Sequence, residues 1–291
     1  MVNDFKLSSD EKYSFLPASL RNDIMNAGTR KSIFVEGYDD QAIFNILYGE
    51  EYFKFIRTGD CEEVKRSVEQ CVIHLKDDKR FYGVIDRDLR MDEDVEKERN
   101  NLCYEGRLFI FFERYTLENY FIEPAVLAEF LCGKSAQYTD LRKLISDIYD
   151  RESLIAYVTS ILNQIFQCLE KIGAANLTIR YFDKSKGFLE STISCDEVKD
   201  RIKHRLKNSS ISERTIEMKF DFFLQFIKNS NSVQKFASAK AYFFILFSKK
   251  IEEITGVNNI KLNNHKSELA RILKDLGLSG ELMDLLNFIK N

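Results

Sequence analysis

Short apolar runs alternate with segments of helical periodicity through the first 112 residues, and this alternation limits the possible folds more than any other feature of the sequence. Apolar runs that end at turn residues predict strands, here Lys31 to Val35, Tyr52 to Ile56, Phe81 to Ile85 and Leu108 to Phe112. Apolar residues recur at helical spacing after the first two strands. Strands that alternate with helices predict an α/β fold with a mostly parallel sheet flanked by helices.

The later part of the chain has a different pattern. A charged segment from Arg90 to Asn100 is predicted to be a loop, and beyond about residue 125 helical periodicity dominates, as in Ala125 to Cys132 and Lys266 to Ile289. We therefore predict an α/β core at residues 1–135 and a mainly helical lobe at residues 136–291 that binds substrate or a partner. The alternative is that these helices cover the sheet and do not fold apart from it.

Charge and hydropathy exclude several classes of protein. The chain carries 43 basic and 46 acidic residues, a formal net charge of -3, so its overall charge predicts no strong attraction to nucleic acid or to an anionic membrane. The start of the chain lacks the pattern of a secretory signal, and the longest apolar runs are too short to span a bilayer. We expect a soluble, cytoplasmic protein.

Cysteine and histidine spacing indicates which side chains can hold a metal. The six cysteines are widely separated, and the three histidines show no zinc-ligand spacing. Any metal is therefore expected to bind to carboxylates.

Carboxylates follow the first and third predicted strands. Glu36 follows the first, Asp86 and Asp88 follow the third, and Asp40 lies one helical turn after Glu36. Because ligands of parallel α/β sheets gather at the carboxyl ends of the strands, these side chains are predicted to converge. A hard divalent cation would relieve their repulsion. The alternative for any one of them is a turn former or a helix cap, the role expected of Asp39.

Two motifs carry a resemblance to a known family. The segments Ile33-Phe34-Val35-Glu36-Gly37 and Val84-Ile85-Asp86-Arg87-Asp88 resemble the glutamate and the Asp-x-Asp pair of the TOPRIM fold. The resemblance implies a Rossmann-like TOPRIM core and a Mg²⁺- or Mn²⁺-dependent phosphodiester site with one or two ions. Asp40 resembles an additional ligand of OLD-like nucleases. Val84 departs from those OLD nucleases that carry a small polar residue there.

A third segment, Tyr115 to Phe121, contains Glu118-Asn119-Tyr120 and resembles the Glu-Asn-Tyr signature of the nuclease subunits of PARIS-type anti-phage systems. The likeness covers roughly residues 30 to 130. It implies a toxic effector that is held by a separate ABC-type ATPase, released when a phage trigger protein is sensed, and directed at host tRNA. It also implies that Glu118 joins the catalytic set. The alternative for Glu118 and Asn119 is a hydrogen-bonding pair at a helix start.

Basic residues supply the candidates for nucleic-acid contacts. Arg87 is predicted to support charge on the phosphate, and Lys199, Lys203 and Arg205 belong to a basic strip that also contains acidic residues. An ordinary solvated helix face is the alternative for that strip.

Together these features predict a metal-dependent endonuclease. Glu36, Asp40, Asp86 and Asp88 would bind the metal, tRNA is the first expected substrate and DNA nicking the second, and dimerisation is expected to activate the enzyme. The alternatives are a DNA enzyme of topology or repair, and a catalytically inert binding or sensor subunit.

Overall fold

The computed structural model describes residues 12–88, 90–132, 260–278 and 280–290, together with scattered residues between 200 and 252. The described helices and strands, numbered in chain order, are α1 (Ala18–Ala27), β1 (Lys31–Val35), α2 (Tyr38–Tyr48), β2 (Phe53–Arg57), α3 (Cys61–His74), β3 (Phe81–Ile85), α4 (Asp92–Arg99), β4 (Leu108–Ile110), α5 (Pro124–Cys132), α6 (Lys266–Leu276) and α7 (Glu281–Lys290). Short 3₁₀ helices cover Leu102–Tyr104, Leu117–Ile122 and Leu262–His265.

The four described strands form one parallel sheet in the order β2-β1-β3-β4. Helices follow β1, β2 and β3 in the chain, as expected for parallel strands that need crossover connections. This architecture confirms the predicted α/β, Rossmann-like class with flanking helices and a helical C-terminal region. Because all four strands point the same way, their carboxyl ends share one edge of the sheet.

The core lies where β3 meets α3. All five residues of β3 are buried, and Val64 and Val68 of α3 pack against it. At Gly83 the helix comes so close that an added Cβ would lie 2.7 Å from a methyl carbon of Val68 and 2.8 Å from one of Val64. Glycine at this position is therefore a requirement of the packing and not of backbone conformation.

Three sequence predictions are corrected by the structure. The segment from Arg90 to Asn100 contains a helix, α4, in place of the predicted loop. The predicted helix over Lys266 to Ile289 is two helices, because the chain turns at Gly277 and Gly280, which have φ values of 96° and 53°. Strand β4 ends at Ile110, two residues earlier than predicted.

The chain divides into two compact units, one of Met1–Phe130 with Asn263–Asn291 and one of Leu131–Leu262. In the first unit α6 packs on α2 and on the 3₁₀ helix Leu117–Ile122. The predicted lobe at 136–291 included α6 and α7, whereas these helices belong to the same unit as the sheet. Across the described ranges, none of the helices is both long and apolar enough to cross a bilayer.

Candidate metal centre

The predicted carboxylates of β1 and β3 meet at the carboxyl edge of the sheet. Glu36 follows β1 directly, and its Oε1 accepts a hydrogen bond of 3.0 Å from the backbone N–H of Asp86, which follows β3. Asp88 then takes a left-handed conformation with φ of 51°, which aspartate tolerates better than most residues. The chain therefore turns at the second aspartate of the Asp-x-Asp pair, where the Arg90 N–H donates to the Arg87 carbonyl.

The segment after β4 brings Glu118 to the same edge. Leu117 N–H donates to Oδ1 of Asp86 at 2.9 Å, and Asp88 N–H donates to the carbonyl of Tyr115 at 2.9 Å. These two bonds hold the 3₁₀ helix Leu117–Ile122 beside the turn. Glu118 is 2% exposed and adds its carboxylate to those of β1 and β3.

Asp39 and Asp40 both lie in the first turn of α2. Asp39 was expected to cap α2, but the capping contact comes from Asp40, whose Oδ2 accepts a bond of 2.7 Å from the N–H of Gly37. Asp39 instead contacts Lys266 Nζ at 2.5 Å. Asp40 still influences the centre, because its charge raises the pKa values of Glu36 and Asp86.

A lysine from the far end of the sequence completes the cluster. Lys266 is the first residue of α6 and is 8% exposed. Its ammonium lies 2.5 Å from Asp39 Oδ2 and 3.3 Å from Glu118 Oε1. This lysine therefore joins the start of α2 to the segment after β4 and partly balances the negative charge between them.

A second cation, Arg90, borders the cluster on the side of Asp88. Its guanidinium lies 3.7 Å from an oxygen of Asp88 and donates to Glu98 of α4 at 3.1 Å. It also donates to the backbone carbonyls of Asp86 and Arg87. Helix α4 therefore positions a positive charge at the turn that carries the Asp-x-Asp pair.

The electrostatics show that the carboxylates act on one another. Burial, with the charges of Asp88 and Asp40, raises the pKa of Glu36 to about 7, against the lowering effects of the Asp86 N–H and of Arg90. Burial, then Asp40 and Glu118, raises the pKa of Asp86 well above its usual range. Burial also raises the pKa of Asp88, with Arg90 opposing. The cluster has more negative charge than its own cations neutralise.

The donor set fits a hard divalent cation better than any other group. The ligands on offer are carboxylate oxygens, which suit Mg²⁺ and Mn²⁺. Within the described ranges, however, no three acidic, histidine or cysteine side chains are already arranged as a metal-binding group. Glu36, Asp40 and Glu118 are turned toward the Asp86 N–H, the Gly37 N–H and Lys266 respectively. Binding would therefore require rotation of these side chains.

Within the motif Glu118-Asn119-Tyr120, Glu118 lies at the centre, and the other two residues hold the segment in place. Asn119 Oδ1 accepts bonds from the N–H and the hydroxyl of Thr116, at 3.1 and 3.0 Å, which is the helix-start role given as the alternative. Tyr120 donates its hydroxyl proton to Glu281 of α7 at 2.9 Å. The motif therefore connects the centre to both C-terminal helices.

The structure describes two of the four predicted nucleic-acid residues, Arg87 and Lys203. Arg87 is 0% exposed, donates to the Phe112 carbonyl at 2.6 Å and pairs with Asp92 at 2.5 Å. This placement argues against its predicted contact with phosphate, because the side chain faces the interior. Lys203 forms an ion pair with Glu217. The predictions for Lys199 and Arg205 fall outside the described residues.

Sequence reasoning missed Lys266, Arg90 and Glu281. One signal for Lys266 was present, because a cation in the first turn of a helix is unfavourable with respect to the helix dipole unless an anion lies nearby. No local pattern indicated which anion that would be. The contact from Lys266 to Glu118 spans 148 positions of the chain, and only the packing of α6 brings it about.

No family model matches the chain, and no curated protein is significantly similar to it.

Proposed function

We propose that this protein is a divalent-metal-dependent nuclease whose site is the carboxylate cluster at the edge of the sheet. The observation that supports it best is the convergence of the carboxylates that follow β1, β3 and β4, with pKa values raised by burial and by the charges of neighbouring carboxylates. Their full set is Glu36, Asp40, Asp86, Asp88 and Glu118. Such clusters are costly to a fold and are typical of functional sites.

Glu36, Asp40, Asp86 and Asp88 are the proposed ligands of one or two Mg²⁺ or Mn²⁺ ions, and Glu118 is the proposed additional carboxylate. A bound divalent cation supplies water activation and neutralises charge on the scissile phosphate. The backbone N–H of Asp86 orients Glu36, and the N–H of Leu117 orients Asp86. These two bonds hold the central pair of carboxylates near each other in the protein alone.

Lys266 is proposed as the residue that positions Glu118. Its ammonium bridges Asp39 and Glu118 and reduces the repulsion that Glu118 exerts on Asp86. Replacement by methionine keeps most of the apolar stem and removes the charge. We expect Lys266→Met to weaken metal binding at the cluster through displacement of Glu118, with the fold retained.

The biological role rests on the resemblance of Glu36-Gly37, Asp86-Arg87-Asp88 and Glu118-Asn119-Tyr120 to the TOPRIM nucleases of anti-phage systems. We propose a cytoplasmic toxic effector that is restrained by a separate ABC-type ATPase, released after a phage trigger is sensed, active as a homodimer, and directed at host tRNA.

The test is cleavage by the purified chain, alone and with a triggered ATPase partner, in Mg²⁺ or Mn²⁺. Total tRNA and supercoiled plasmid are offered together. We expect tRNA to be cut, Glu36→Gln and Asp86→Asn to be inactive, and Glu51→Gln, an exposed glutamate at the opposite end of the sheet, to cut normally. Cleavage of plasmid alone would replace tRNA with DNA as the substrate. If the protein cuts neither tRNA nor plasmid, the nuclease proposal is wrong.

One observation favours a second candidate, a catalytically inert binding or sensor subunit. The ammonium of Lys266 already lies between Glu118 of the cluster and the neighbouring Asp39, as a permanent counter-ion would. An inert subunit would keep its fold and its partner contacts but would neither cleave nucleic acid nor bind Mn²⁺ at the cluster.

A further inference from the structure

An exposed aromatic ring and an exposed guanidinium stack on each other beside the carboxylate cluster. Tyr38, the first residue of α2, is 69% exposed, and the guanidinium carbon of Arg57, the last residue of β2, lies 4.1 Å from the centre of its ring. Arg57 is itself exposed. We call these two residues the Tyr38–Arg57 shelf.

The shelf is tied to the backbone of Glu36. Arg57 pairs in register with Val35, so it lies one strand away from the residue that precedes Glu36. Just beyond it, Thr58 N–H donates to the Val35 carbonyl at 2.9 Å and Gly59 N–H donates to the Glu36 carbonyl at 3.1 Å. Tyr38 follows Glu36 by two residues. The shelf and the carboxylates therefore occupy neighbouring positions on one edge of the sheet.

The helix that carries Tyr38 is also fixed to the strand that carries Arg57. Gln41 of α2 donates from Nε2 to the carbonyl of Phe55 in β2 at 2.7 Å. Phe44 of α2 stacks on Phe55, with ring centres 5.3 Å apart. The two members of the shelf are thus held by a packed helix and strand and not by a free loop.

The charge of Arg57 is available to a ligand. Among the residues that the structure describes, no carboxylate lies within ion-pairing distance of Arg57, whereas Arg80, Arg90, Arg107 and Arg114 each have one. In a chain of net charge -3, a guanidinium on an exposed ring beside an acidic cluster is a local positive feature. Aromatic rings stack on bases, and arginine contacts phosphate and base planes.

We propose that the Tyr38–Arg57 shelf binds an unpaired nucleotide of single-stranded nucleic acid, next to the bond to be cut. The base stacks on Tyr38, and Arg57 contacts the adjoining phosphate. This proposal rests on the proposed nuclease function. It adds one substrate feature, an unpaired nucleotide, that the carboxylates do not recognise. Duplex nucleic acid, whose bases are already stacked, leaves the ring unused.

The test is fluorescence anisotropy of the full-length protein in a chelator, with labelled RNA and DNA oligonucleotides of about 12 nucleotides and a duplex of the same sequence. We expect Tyr38→Ala to weaken single-strand binding roughly 5- to 100-fold, as for loss of one stacked base, and to leave duplex binding unchanged. Tyr38→Phe keeps the ring and should bind like wild type. Arg57→Lys should bind more weakly than wild type, because the planar contact is lost.

The matched control is Tyr52→Ala. Tyr52 is 65% exposed and precedes β2, at the opposite end of the same strand. The proposal is overturned if Tyr38→Ala and Tyr52→Ala bind the single strands equally well, or if the wild-type protein binds none of them. The oligonucleotide that binds more tightly, RNA or DNA, identifies which nucleic acid the shelf prefers.

Cleavage assays on the same variants separate the two proposals. If the wild-type protein cuts nucleic acid and Tyr38→Ala and Arg57→Lys cut it equally well, the shelf proposal is overturned and the nuclease proposal stands. If single strands bind through the shelf but nothing is cut under any condition, the shelf stands as a binding site and the nuclease proposal is wrong.

Discussion

Glu281, in the first turn of α7, gives the sharpest stability prediction. Its carboxylate accepts hydrogen bonds from the backbone N–H groups of Phe112 and Glu113 and from the hydroxyl of Tyr120, and it pairs with Arg99 at 3.3 Å. The side chain is buried. This one carboxylate therefore accepts the hydrogen bonds of the backbone that follows β4 and joins α7 to that segment.

Removal of this carboxylate leaves several buried donors and an arginine without their partner. Loss of one member of a buried charged network costs about 3–5 kcal/mol, so we expect Glu281→Ala to lower the free energy of unfolding by that amount. Glu281→Gln retains one acceptor oxygen but turns an amide N–H toward a donor. We expect it to cost about 1.5–3 kcal/mol, the value of a hydrogen bond to a charged group.

The assay is urea unfolding followed by circular dichroism, since the chain has no tryptophan. Hydrogen exchange of the peptide that contains Phe112 and Glu113 adds a local measurement, in which protection should fall on the order of 100-fold or more. The control is Asp284→Ala, an exposed carboxylate of the same helix turn, with an expected cost of about 0.5 kcal/mol. Equal unfolding midpoints for Glu281→Ala and Asp284→Ala would refute the reasoning.

Gly83→Ala should destabilise the protein by about 1–3 kcal/mol in urea unfolding, because the new Cβ meets two valine methyl groups, and a cost near zero would contradict that packing. The Glu36 carboxyl, with its pKa raised to about 7, stabilises the fold while protonated, so metal-free stability should fall as pH rises from about 4.5 to 7. Glu36→Gln should reduce that fall without removing it, because the raised pKa values of Asp86 and Asp88 act in the same direction, and urea titrations at pH 4.5 and pH 8 measure the difference. Burial raises the pKa of Cys71 to about 12, so native protein should react with a thiol reagent at exposed Cys103 and not at Cys71, and equal rates would contradict this.

The sequence predicted the parts of the fold that depend on short-range pattern. The bounds of β1 and β3 match the predictions, because a run of buried apolar residues ends at an acidic residue in both places. The same pattern located Glu36, Asp86 and Asp88. Helix α4 was missed because Val95 is its one buried residue, so apolar periodicity was absent. Its acidic first turn and basic last turn were the remaining signal.

The parts of the site that depend on long-range packing could not be predicted. Lys266 reaches Glu118 only because α6 packs on α2 and on the 3₁₀ helix Leu117–Ile122. Glu281 reaches Tyr120 across 161 positions. Asp40 and not Asp39 caps α2, because adjacent residues of a helix point about 100° apart and the sequence does not say which of the two faces the cap.

The carboxylates that follow β1, β3 and β4 form the proposed divalent-metal centre. Its most direct test is Mn²⁺ binding by calorimetry to wild-type protein, Asp86→Asn and the exposed control Glu51→Gln. We predict one or two ions per chain for wild type and Glu51→Gln, and loss of binding for Asp86→Asn. Absence of Mn²⁺ binding to wild type, or equal binding by Asp86→Asn, would contradict the claim.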